Sequence, residues 1–66
     1  MEIVVNGKPR SVPAPRTVLE LLGDLGLDPA RVAIEFEGQI LRQPLWAETR
    51  LHEGARLEIV QFVGGG

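Results

Sequence analysis

Residues 17–26 read TVLELLGDLG, and this stretch decides the fold. Thr17 with Glu20 three positions on is a capping box. The threonine hydroxyl accepts from the amide of the third helical residue, while the glutamate reaches back to the cap amide. Val18, Leu21, Leu22 and Leu25 then recur at i, i+3, i+4 and i+7, which aligns them as one apolar stripe of a helix. Gly26 follows, where a left-handed residue beyond the last turn favours glycine. The pattern predicts a helix over 17–25, with Gly23 a local weakness. Such a stripe must be buried against something, and the flanking sequence has to supply it.

Upstream, Glu2-Ile3-Val4-Val5 is short and rich in β-branched residues, and Asn6-Gly7 comes next. Asn-Gly between two extended runs predicts a type I′ hairpin, since both turn positions need positive φ. The strands are expected over 2–6 and 8–12. Pro9 lacks an amide hydrogen and assigns the second of them to a sheet edge. Pro13 and Pro15 close it off.

Downstream, Asp28-Pro29 reads as a second N-cap with proline at the first helical position, enough for one turn. Val32, Ile34 and Phe36 alternate with Ala33 and Glu35, the mark of a half-buried strand. Glu37-Gly38 turns the chain into a short run, Gln39-Ile40-Leu41. Residues 43–49 show no clean period and suit a short helical turn around Leu45 and Trp46. After a turn at Glu53-Gly54, a final strand runs from Arg56 to about Phe62, ahead of Gly64, Gly65 and Gly66.

One helix among four or five strands can bury its stripe only by lying across one face of a single sheet. The chain between first and last strands is long enough for them to pair in parallel at the centre. The expected class is therefore α+β, a β-grasp with a mixed sheet, comprising a domain over 1–63 and a flexible glycine tail over 64–66.

Composition narrows the function. The chain has 66 residues, 44% of them apolar, and a formal charge of −2. That is one globular domain near the lower size limit for folding alone. With no cysteine and a single histidine, His52, neither a disulfide nor a thiolate metal site can staple it. Basic residues are dispersed, which argues against a nucleic-acid partner. Apolar runs fall far short of the roughly 20 residues that span a bilayer, which argues against a membrane partner. The opening Met1-Glu2-Ile3 lacks a basic segment followed by a long apolar one, so a cytoplasmic location is expected. A chain this short also has little room for a deep pocket and its supporting shell.

The familiar catalytic constellations are missing. Ser11 and His52 lie far apart in sequence with no motif around either, and read more simply as solvated surface residues. Glu35 and Glu37 have strand spacing and would share a solvated outer face. Trp46 reads as a core plug rather than a stacking platform. No residue is assigned a catalytic or metal-binding role.

The C-terminus stands apart. Glycine loses the most conformational freedom on ordering, so Gly64-Gly65-Gly66 has no evident fold role. It is either a disordered end or an arm that threads a partner's narrow channel, carrying at its tip a carboxylate ionised at neutral pH. Such a carboxylate can attack the α-phosphate of ATP, and sulfur can displace the resulting acyl-adenylate. The tail alone favours neither reading. The last strand tips the balance: Leu57 and Ile59 suit the helix-covered face, while Val60 and Phe62 make the outer face apolar toward the tail. Val4, of outer parity on the first strand, is expected to lie beside them and to complete a docking patch.

These pieces together resemble the ThiS family of thiamin-pathway sulfur carriers. The resemblance rests on Ile3-Val4-Val5-Asn6-Gly7, on Thr17-Val18-Leu19-Glu20-Leu21-Leu22, on the stretch from Ile34 to Trp46 with Arg42-Gln43-Pro44-Leu45-Trp46-Ala47, and on Ile59-Val60-Gln61-Phe62-Val63-Gly64-Gly65-Gly66. It implies a ubiquitin-like β-grasp carrier with no catalysis of its own and no bound cofactor, ATP being used by a partner enzyme. The implied partners are an E1-like (ThiF-like) adenylyltransferase, a cysteine desulfurase route that delivers sulfur, and a ThiG-like thiazole synthase. Gly66 would become the thiocarboxylate, with Gly64 and Gly65 the tail, and Val60, Phe62 and Gly64 would meet both partners. Related carriers for molybdopterin, tRNA thiolation or cysteine synthesis share the terminus. So does a ubiquitin-like protein modifier, and an inert β-grasp interaction module remains a further reading. The small subunit of molybdopterin synthase differs in a proline-containing approach to the glycines, which Phe62-Val63 lacks.

Overall fold

In the computed structural model, which describes residues 1–62, the capping box is formed. The Glu20 amide donates to Thr17 Oγ1 (3.1 Å) and the Thr17 amide donates to Glu20 Oε1 (2.9 Å). The helix, α1, spans Val18–Asp24, with Thr17 and Leu25 as its two caps, so the predicted 17–25 counts the caps as helix. Gly26 adopts φ +70°. Its amide donates to the Gly23 carbonyl, and the Leu27 amide donates to that of Leu22 (2.9 Å), which closes the helix in a Schellman motif. Val18, Leu21 and Leu22 are fully buried, and Leu25 packs against the core from its edge.

The strands are β1 (Glu2–Val5), β2 (Lys8–Ser11), β3 (Val32–Phe36), β4 (Gln39–Leu41) and β5 (Arg56–Gln61). They form one sheet in the order β2-β1-β5-β3-β4, with β1 and β5 parallel and the other neighbours antiparallel. This is the ubiquitin-like β-grasp. Ile3, Ile34, Leu57 and Ile59 face α1, and Trp46, Leu51 and Ala55 fill the side of the core. Trp46 Nε1 donates to the Leu41 carbonyl (2.8 Å), which gives the buried indole its partner. Single 3-10 turns at Pro29–Arg31 and Gln43–Leu45 sit where the sequence places short helical turns.

Two local readings change. The second strand ends at Ser11, but Val12 still extends the ladder, donating its amide to the Met1 carbonyl (2.9 Å). Glu37 is not on a strand face with Glu35. It takes φ 52° as the first residue of the β3–β4 turn and bonds His52 Nε2 at 3.0 Å. A turn of only two residues, Glu37-Gly38, leaves that position no other conformation.

Candidate functional site

Site geometry follows from β5. Amides of its even-numbered residues turn toward β3: Phe62 donates to the Arg31 carbonyl (2.7 Å), and Glu37 donates to that of Arg56 (2.9 Å). Odd-numbered residues turn toward β1, and just past its end the Asn6 amide donates to the Leu57 carbonyl (2.9 Å). At Asn6 the hairpin turns away and β5 loses its backbone neighbour. The Asn6 side chain replaces it. Asn6 Oδ1 accepts from the Ile59 amide (2.7 Å) and Asn6 Nδ2 donates to the Ile59 carbonyl (3.1 Å). The central strand is thus held on both sides as far as Ile59.

The side chains of β5 sort as predicted. Leu57 and Ile59 are buried, while Val60 is 58% and Phe62 54% exposed. The third member of the expected patch is displaced. Val4 is only half-exposed and pairs with Arg56, four residues and about 13 Å behind Val60. The strands are neighbours, but their register puts Val4 at the opposite end of the face. The apolar surface beside Val60 comes instead from Ala33, its cross-strand partner, and from Ile40, which is 80% exposed. Ile40 could have been found from sequence. A two-residue turn at Glu37-Gly38 pairs Phe36 with Gln39 and Glu35 with Ile40, so the outward parity of Glu35 fixes that of Ile40.

Other sequence candidates find plain roles. His52 Nδ1 lies 3.1 Å from the Glu53 carbonyl oxygen, and its other nitrogen meets Glu37 and not Ser11. Among the described residues no three His, Asp or Glu side chains are placed to share a metal ion, and no helix is long and apolar enough to cross a membrane. Gly64, Gly65 and Gly66 lie outside the described residues.

What this arrangement offers chemically is a surface. The outer end of the central strand is apolar and leads by chain continuity into a triglycine segment. A family model described as the ThiS family matches residues 3–66. The chain belongs to the ThiS family. The crystal structure of the thiamine biosynthesis protein ThiS from Geobacter metallireducens superposes with a TM-score of 0.85 at 33% identity, covering 100% of both chains. A thiazole synthase of Paramagnetospirillum magneticum is 42% identical over all 66 residues, and one of Magnetococcus marinus is 35% identical over the same span. This ThiS-family chain spans only 20% of the length of either thiazole synthase.

Proposed function

We propose that this chain is a sulfur carrier of thiamin biosynthesis, acting in the cytoplasm without catalysing a step itself. An E1-like adenylyltransferase binds the outer end of β5 and draws the terminal glycines into its site. The Gly66 carboxylate attacks the α-phosphate of ATP and pyrophosphate leaves. A sulfur nucleophile, supplied through a cysteine desulfurase, then attacks the acyl carbon and AMP leaves, so the terminus becomes a thiocarboxylate. Thiazole synthase takes that sulfur. Glycines suit the arm because a chain without Cβ atoms passes between walls that side chains would strike.

The single observation carrying the thiamin branch is that a stretch similar to this whole chain makes up a fifth of two proteins named thiazole synthase. It favours thiazole formation over the molybdopterin, tRNA and cysteine branches that share the terminus.

The test is intact mass spectrometry after incubation with the adenylyltransferase, ATP and a sulfide source. Wild-type protein is expected to gain the mass difference between sulfur and oxygen. Removing Gly66 shortens the arm by about 3.3–3.6 Å, while productive geometry tolerates about 0.5 Å of misplacement. The truncated chain should therefore gain nothing. A truncated protein that acquires sulfur as readily as wild type would remove Gly66 from the mechanism.

A further inference from the structure

Two carboxylates face each other on the exposed side of the sheet, where the fold has no use for them. Glu35 and Glu58 are direct partners across β3 and β5, and both are exposed. Facing residues hold their Cβ atoms about 4.5–5.5 Å apart, and like charges there are destabilising. Among the described residues the ion pairs are Arg16–Asp24, Arg31–Asp28 and His52–Glu37, so neither carboxylate has a cation. Arg56 shares their face, two residues from Glu58, and pairs with neither.

A shallow hollow of about 170 Å³ adjoins them, lined by Ala33, Ile34, Glu35, Ile40, Glu58 and Val60. Apolar walls beside paired carboxylates match the build of a long cationic side chain. Its methylene stem lies on apolar surface while its head reaches the charges. A guanidinium fork can engage both carboxylates at once.

We propose that this hollow receives one arginine or lysine side chain of the thiazole synthase that takes sulfur from Gly66, and that Glu35 and Glu58 set how the carrier seats on that enzyme. The proposal rests on the function proposed above. Chain length ties the hollow to the enzyme. Gly66 is six residues on from Val60, a span of at most about 20–22 Å. An enzyme working on the tip is therefore brought onto this end of the sheet. The two thiazole synthases that contain a stretch like this chain favour that enzyme as the occupant.

The test is titration of the Glu35→Gln, Glu58→Gln double variant against the host's thiazole synthase by calorimetry, at low and at high ionic strength, beside chemical denaturation. Loss of a paired interfacial charge should weaken binding by about tenfold or more and flatten its salt dependence. Removing the repulsion should leave the unfolding midpoint equal or higher, whereas a purely structural role would lower binding and midpoint together. Unchanged affinity would overturn the proposal, as would weaker binding accompanied by a lower midpoint. A variant impaired only in adenylation would also overturn it, by giving the hollow to the adenylyltransferase. Wild-type protein that does not bind thiazole synthase would overturn the proposed function as well. Equal binding by wild type and variant overturns the docking alone.

Discussion

Replacing Asn6 by glycine isolates what holds the central strand at the base of the tail. Asn6 sits at φ 52°, and its side chain makes two hydrogen bonds to the backbone of Ile59, at 2.7 and 3.1 Å. Alanine would be a poor probe, since it keeps a Cβ in the left-handed region, at about 1–2 kcal/mol, without the polar side chain that lets asparagine tolerate it. Glycine keeps the turn and removes only the side chain. Each bond contributes about 0.5–1.5 kcal/mol net, so the pair is worth about 1–3 kcal/mol. Glycine's extra freedom in the unfolded chain takes away about 0.4–1 kcal/mol more, offset by relief of the left-handed asparagine. A core of this size supplies roughly 3–5 kcal/mol in all, so the effect is large.

With a urea slope near 1 kcal/mol/M for a small domain, the midpoint should fall by about 1 M or more. Amide exchange gives the local signature. Ile59 should lose protection more than Leu57, which pairs with Val5 in the β1–β5 ladder that the substitution leaves in place. Glu37→Gly is the control, because it occupies the same turn position at φ 52° and keeps its amide bond to the Arg56 carbonyl, while its side chain meets His52 and no strand backbone. It should leave the midpoint unchanged or higher. An Asn6→Gly protein with the wild-type midpoint and a protected Ile59 amide would refute the reasoning and reduce Asn6 to a turn former.

The helix cap and the docking face yield two further expectations. Thr17→Ala should destabilise by about 0.5–2 kcal/mol in denaturant titration, the usual loss at a good N-cap, with sulfur acquisition unaffected at temperatures where the protein stays folded. Phe62→Asp should change stability by no more than about 0.5 kcal/mol, as expected of an exposed position, yet slow adenylation by the E1-like enzyme. An unfolded Phe62→Asp protein would show that the side chain belongs to the core.

Local chemistry made much of the fold legible. A capping box, a stripe at helical spacing and Asn-Gly between extended runs each have one low-energy solution, and the structure adopts it. Parity along the last strand was legible for the same reason, because Leu57 and Ile59 alternate with Glu58 and Val60 whatever the neighbours. Register between distant strands was not. Val4 and Arg56 are 52 positions apart (56 − 4), and their pairing is decided by how β1 and β5 both pack beneath α1. No local pattern encodes that, so strand parity alone puts Val4 beside Val60 when its register sets it at the other end. Asn6 shows a related limit. Its turn role is local and was readable, but its bonds to Ile59 become visible only once β5 is seen to outrun β1.

The outer face of β5 runs from charged to apolar toward the tail: Arg56, Glu58, Val60, Phe62. A uniformly apolar face would let a partner seat in several rotations, and the four residues that follow Phe62 are too few to correct a wrong one. Four residues reach about 13–14 Å fully extended, so a carrier turned end for end would draw the terminus out of range. The gradient selects against that orientation. Reversed, Glu35 and Glu58 would be pressed against the partner surface that fits Phe62, and an unpaired buried charge costs several kcal/mol. Specificity of this kind comes from penalising the wrong seating as much as from rewarding the right one. On the docking proposed above, the same carboxylates that repel each other in the free sheet would help to aim its terminus.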